Sequence, residues 1–167
     1  TDYKGHTSIT AETVRQAMTD KDDRRYPRRD GIDHYRRFRE DLALLSDMGC
    51  TMLRVSIAWS RLFPTGMETE PNPRAVAHYR EVFSEMRRLG MEPMVTLSHY
   101  EMPLALALTY NGFAARVVMD AFVRYAEACF RAFGDLVTYW LGFNEIDSVF
   151  RHPFVSAGLL TSDNEAV

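Results

Sequence analysis

The sequence predicts an α/β protein, built as part of a (β/α) barrel. Three observations carry that reading. A helical pattern followed by a strand pattern occurs three times, each join marked by a glycine: Gly49, Gly90 and Gly134, spaced 41 and 44 residues apart. The strand patterns are mostly unbroken apolar runs, as expected of parallel strands covered on both faces. Each run ends in polar and aromatic residues, and no Gly-rich phosphate loop follows any of them, so a doubly wound dinucleotide fold lacks its usual footing. Functional groups at the carboxyl ends of successive strands are the barrel arrangement.

Taken in order, residues 1–31 are polar, carry no strand pattern and read as a loop region with a short helix near Ala11–Met18. The first α/β unit has a helix from Ile32 to Met48, with Tyr35, Phe38, Leu42 and Leu45 at steps of three and four, then the strand "MLRVSIAW" (52–59). The second has Val76, Tyr79, Phe83 and Met86 on one face of a helix over Arg74–Leu89, entered through Pro71 and Pro73, then "PMVTLSHY" (93–100). The third has Val118, Phe122, Tyr125 and Cys129 on a helix over Ala114–Phe133, then "TYWLGFNE" (138–145). Glycine at each helix end suits a residue at positive φ. Residues 146–167 read as a second long loop, and such loops on an α/β scaffold usually carry binding. A barrel needs at least about 200 residues. Residues 32–145 supply three units, so the whole chain, 1–167, reads as the incomplete N-terminal part of one barrel domain.

Composition narrows the function. With 46% hydrophobic and 26% charged residues and a net charge of −3, the chain is ordinary globular protein and a poor match to nucleic acid. Seven arginines between Arg24 and Arg39 are the basic exception, read as a solvated loop and outer helix face. No apolar run approaches the ~20 residues of a membrane span. No signal peptide opens the chain, and Cys50 and Cys129 lie far apart in core segments, so a reduced cytoplasmic protein is expected.

The chemistry is sought at the strand ends. Glu145 ends an apolar run, which predicts a partly desolvated carboxyl suited to proton transfer, and Asn144 beside it could grip a hydroxyl. Each also has a plainer explanation: Glu145 could simply have reached solvent, and His99 could be a structural histidine. Arg54, inside an apolar strand, calls for an anionic partner. No His-x-x-x-His, Cys-x-x-Cys or Gly-x-Ser-x-Gly occurs, which removes the usual metal and serine-hydrolase patterns. Carboxylate chemistry among Trp59, Tyr100, Phe113, Trp140 and Phe143 fits a sugar, since paired carboxylates cleave glycosides.

"RVSIAWSRLFPTG" (54–66), "GMEPMVTLSHYEMPLAL" (90–106) and "YWLGFNEI" (139–146) resemble the second, third and fourth strand regions of glycoside hydrolase family 1, in that family's order and spacing, from Tyr26 to Leu160. The resemblance implies strands two to four of a (β/α)8 TIM barrel and retaining hydrolysis of β-glucosides without a cofactor. It implies that Glu145 is the general acid/base, that Asn144 binds the sugar 2-hydroxyl, that His99 contacts the sugar, and that Arg54 holds the nucleophile. Ile146 after Glu145, "SHYEMP" (98–103) and "HPFVSAGL" (152–159) resemble the branch acting on 6-phospho-β-glucosides in the cytoplasm. "YNGF" (110–113), Gly142 and Asp147 depart from the family's usual residues. The family's nucleophilic glutamate and its phosphate-binding loop match nothing in these residues, so the chain alone is expected to be inactive. Its expected partner is the remaining part of the barrel or a second copy covering its open edges. The alternative is a half-barrel that acts by itself as a sugar-binding or assembly module.

Overall fold

The computed structural model describes residues 9–21 and 31–161. After α1 (Ala11–Thr19) come α2 (His34–Asp47), β1 (Met52–Ser56), the single turn α3 (Trp59–Leu62), α4 (Pro73–Arg88), β2 (Glu92–Ser98), α5 (Leu104–Tyr110), α6 (Arg116–Phe133), β3 (Tyr139–Phe143) and α7 (Pro153–Ala157). Short 3₁₀ turns at Gly112–Ala114 and Ile146–Phe150 join the later elements. The strands form one parallel sheet in the order β1-β2-β3, with Ser56 beside Thr96 and Thr96 beside Leu141. Three helix–strand units in sequence order are therefore present, as the periodicity requires.

The helices follow their apolar stripes. Asn72 caps α4, its side chain accepting from the Arg74 N–H, and Pro73 opens the helix where its missing N–H has no partner to lose. Tyr79, Val82, Phe83 and Met86 point inward from α4, and Val118, Tyr125, Cys129 and Phe133 from α6. They meet Val95 and Leu97 of β2 in one core that also takes Phe38 and Leu42 of α2. Burial pushes the Cys129 thiol up to about 12, so it packs as an inert small side chain. Both cysteines are free.

Several expectations change. The strands stop two or three residues early, because Ile57, Trp59 and Leu62 continue the apolar pattern by turning down into the core and not along the sheet. Central β2 is well buried, but edge strands β1 and β3 are half open, with Met52, Arg54 and Tyr139 exposed. Gly49 and Gly90 take positive φ (+83° and +76°), whereas Gly134 sits at −62° and is small because a Cβ would crowd the Phe130 carbonyl at 2.6 Å. The segment after β3 is not a plain loop: it holds a 3₁₀ turn and α7, linked by the buried Ser148–Ser156 hydroxyl pair. That segment lies against Gly112 (φ +55°), whose Cβ position would overlap the Ala157 carbonyl, and the Leu160 N–H donates to Asn111 Oδ1 at 2.6 Å. Of the basic run, Arg24 to Arg29 lie outside the described residues. Arg36, Arg37 and Arg39 are exposed and pair with Asp33, Glu40 and Glu81, as a solvated helix face does.

Candidate active site at the carboxyl ends of the strands

The ends of the three strands bring Arg54, His99, Asn144 and Glu145 into one polar cluster, and they add Tyr100. Arg54 projects from β1 and donates through Nε to Thr96 Oγ1 (2.9 Å) on β2 and through Nη2 to Asn144 Oδ1 (2.8 Å). Asn144 in turn donates through Nδ2 to the Tyr100 hydroxyl (2.8 Å), which donates to Glu145 Oε2 (2.8 Å). Asn144 thus has its amide oriented by two partners, and Glu145 has one oxygen held. The Asn144 N–H donates to the Ser98 carbonyl (2.9 Å), continuing the β2–β3 ladder up to the residue before Glu145. There the backbone turns sharply, with Glu145 at φ +43° and ψ +53°. Tyr100 is bent the same way, at φ +77°. Two side-chain-bearing residues in the left-handed region, on adjacent strand ends, mark the place where the chain departs from regular structure to aim functional groups.

His99 stacks edge-on against Tyr100, ring centroids 5.0 Å apart. Partial burial and then the Arg54 charge hold its imidazole below the usual histidine range, outweighing the pull of Glu145 the other way. His99 is therefore neutral at pH 7, able both to donate and to accept. The Tyr100 phenol is pushed up, first by desolvation and then by its bond to Glu145, and stays a proton donor. Behind His99 lies Glu101, half-buried, accepting from Ser56 Oγ at 2.9 Å and from the His99 N–H at 2.9 Å. A cavity of about 720 Å³ reaches this cluster at Arg54, Ser56 and His99 and runs on among residues of α2, β1 and α4; Asn144 and Glu145 are not among its lining residues. Among the described residues no group of His, Cys, Asp and Glu suits a metal ion, and no helix is long and apolar enough to cross a membrane.

Two expectations about this cluster need correction. Glu145 is exposed and not seated among apolar groups, because its side chain leaves the strand at the turn. Arg54 is exposed too, and among the described residues its partners are the neutral Thr96 and Asn144 and no carboxylate. The aromatics divide as well. Tyr100 belongs to the cluster, but Trp59 is 1% exposed in the core, stacked on Tyr125, and Trp140 packs on Phe130 of α6. Phe113 and Phe143 stand with Phe122 along an apolar groove beside α6. Sequence reasoning placed Glu101 in the polar end of the second strand but gave no role to it, to Ser56 or to Thr96. The signal for Glu101 was its place in "SHYEMP", immediately after the strand-end histidine.

Comparison with known proteins agrees with this geometry. Glycosyl hydrolase family 1 matches residues 4–164. The chain is 46% identical over 145 residues to 6-phospho-beta-glucosidase AscB of Escherichia coli, covering 87% of this chain and 31% of that protein. It is 47% identical to aryl-phospho-beta-D-glucosidase BglA of Bacillus subtilis, covering 84% and 30%. Among solved structures, a rice beta-glucosidase superposes with a TM-score of 0.68 at 42% identity, over 71% of this chain and 24% of that one. A Thermotoga maritima beta-glucosidase bound to a substituted glucoimidazole gives 0.67 at 34% identity, over 70% and 26%. The chain spans less than a third of the length of these curated relatives. Its three parallel strands and their helices form part of the TIM barrel of such enzymes. The chain belongs to glycosyl hydrolase family 1.

Proposed function

We propose that the whole protein hydrolyses β-glucosides by double displacement and that Glu145 is its proton donor. In the first step Glu145 protonates the glycosidic oxygen while a second carboxylate attacks the anomeric carbon. In the second, Glu145 takes a proton from the water that displaces the sugar from that carboxylate. The attacking group must sit about 5–5.5 Å from Glu145. We assign it to a part of the barrel beyond these residues, so that the 167 residues alone do not turn over substrate. The remaining βα units would also cover the apolar edges now open at Met52 on β1 and at Met119 and Val123 on α6. Arg54 would then gain an anionic partner, which none of the described residues supplies, Asn144 would hold the sugar 2-hydroxyl, and neutral His99 would bind a neighbouring hydroxyl.

The observation that carries this reading is the chain of hydrogen bonds from Arg54 through Asn144 and Tyr100 to Glu145, spanning three successive strand ends. The names of the relatives at 44–47% identity, all phospho-glucosidases or a phospho-cellobiase, support a 6-phosphorylated glucoside as substrate and hence a cytoplasmic enzyme. The test is turnover of p-nitrophenyl β-glucoside with and without the 6-phosphate, then of an alkyl glucoside by Glu145→Gln. The phosphorylated substrate is expected to be preferred. Loss of the proton donor is expected to slow the alkyl glucoside about 10²–10⁴-fold. Unchanged alkyl turnover in Glu145→Gln would remove the assignment.

A further inference from the structure

The turn that carries His99 and Tyr100 is bent against its preference, and something must hold it. Tyr100 sits at φ +77°, a conformation that a bulky side chain rarely adopts unless its surroundings impose it. The restraint is Glu101. Its side chain folds back over the turn, one oxygen accepting from the His99 N–H and the other from the hydroxyl of Ser56, the last residue of β1. Its carbonyl also accepts from the Ser60 N–H (3.4 Å), a second tie to the segment after β1. On the opposite side of the same turn the Tyr100 hydroxyl is bonded to Asn144 and Glu145.

We infer that Glu101 is a positioning residue: it pins the His99–Tyr100 turn to the end of β1, so that the Tyr100 hydroxyl meets the Glu145 carboxyl in the orientation proton donation needs. Glu101 does not reach Glu145 itself. It acts through Tyr100, and it does so with two acceptor oxygens, which an amide reproduces only if Ser56 reverses its role. Both bonds use it as an acceptor, and a glutamine has a single acceptor atom. Its NH₂ end would have to face either the His99 N–H or the Ser56 hydroxyl. Serine can reverse its role and accept, but a backbone N–H cannot. Glu101→Gln can therefore still hold the turn in one of its two rotamers, Glu101→Ala removes both acceptors, and Ser56→Ala removes only the tie to β1.

The inference rests on Glu145 as proton donor, and the experiment separates the two. In the whole enzyme, kcat/KM is measured on a dinitrophenyl glucoside, whose leaving group needs no proton, and on an alkyl glucoside, whose leaving group does. The 6-phosphates are used if these are what the enzyme turns over. Glu145→Gln must slow the alkyl substrate selectively; if it does not, the proton-donor reading fails and the inference with it. Given that result, Glu101→Ala is expected to slow the alkyl substrate by about ten- to a hundredfold while leaving the dinitrophenyl substrate within about threefold, with Glu101→Gln losing less. Adding Tyr100→Phe should then cause little further loss, because both changes break one relay. Equal loss on both substrates, or losses that multiply in the double variant, would overturn the positioning role while leaving Glu145 in place. If Glu101→Ala does not fold, Ser56→Ala decides: the same selectivity, smaller in size, supports the inference, and a wild-type substrate ratio overturns it.

Discussion

Two tyrosines tie strand ends together in this molecule, and they do so in opposite surroundings. Tyr125 reaches from α6 into the core, wholly buried, and its hydroxyl bonds the carbonyls of Leu97 (2.8 Å) and Ile57 (3.1 Å), just where β1 and β2 run out. Tyr100 stands on the open side of the same strand ends, bonded to Asn144 and Glu145. Around Tyr125 stand aromatic rings, fixed backbone groups and the buried Cys129 thiol, and burial drives its phenol far above the ordinary range. Around Tyr100 the neighbours are an amide and a carboxylate, groups able to change partner or charge. One hydroxyl locks geometry in place. The other shares in it and can respond to a ligand. The helix side of the sheet is thus built for permanence and the strand ends for chemistry, a division a barrel permits because its core and its catalytic face are separate.

Breaking the helix side should cost the most stability. Phe83, fully buried between Tyr79 and Phe133, is expected to lose about 3–5 kcal/mol on truncation to alanine, read by denaturant unfolding, with no shift in substrate selectivity. The two tyrosines sharpen the comparison directly. Tyr125→Phe strands two buried carbonyls and should cost about 1–3 kcal/mol. Tyr100→Phe should change stability by no more than about 0.5 kcal/mol while slowing poor leaving groups. If both deletions acted alike in both assays, the division would not hold.

The smallest effect is one of pH. Burial holds the Glu101 carboxyl above its ordinary value of 4.5, against the lowering effect of Ser56 and the His99 N–H. The native state then keeps a proton that the unfolded chain has released. Stability should fall as pH rises from the ordinary value through the raised one, and level off beyond. Glu101→Gln removes that slope, so the difference in melting temperature between wild type and variant should drift as the pH is raised above 4.5 and not stay constant.

How much of this could be read from the sequence differs between the two sides. The helices α4 and α6 were legible almost to the residue, because an apolar stripe, a proline entry and a glycine exit are local signals. The strand ends were overrun, since hydropathy cannot tell a residue that continues a ladder from one, such as Trp59, that turns into the core. The helix α5 escaped because "LALALTY" is apolar on nearly every side and shows no period. Asn144 and Glu145 stood out as polar groups closing an apolar run. Their surroundings did not: whether a carboxyl is covered depends on elements far away in sequence. Glu101 shows the same limit. Its partner Ser56 lies 45 residues earlier, and the bend at Tyr100 that it restrains has no glycine to announce it.

The tight meeting of Gly112 with Ala157 has a bearing on how such proteins can be recombined. Backbone touches backbone there, and Asn111 reaches across to Leu160, so the corner between α5 and α6 and the segment after β3 fit each other as a matched pair. A chimaera that imports the segment 146–161 from a relative would bring in a surface cut for a different corner. Residues 110–113, "YNGF" here, must travel with it. Inheritance of the two pieces together, across 30 or more residues of intervening helix and strand, is the natural unit of exchange on this face of the barrel.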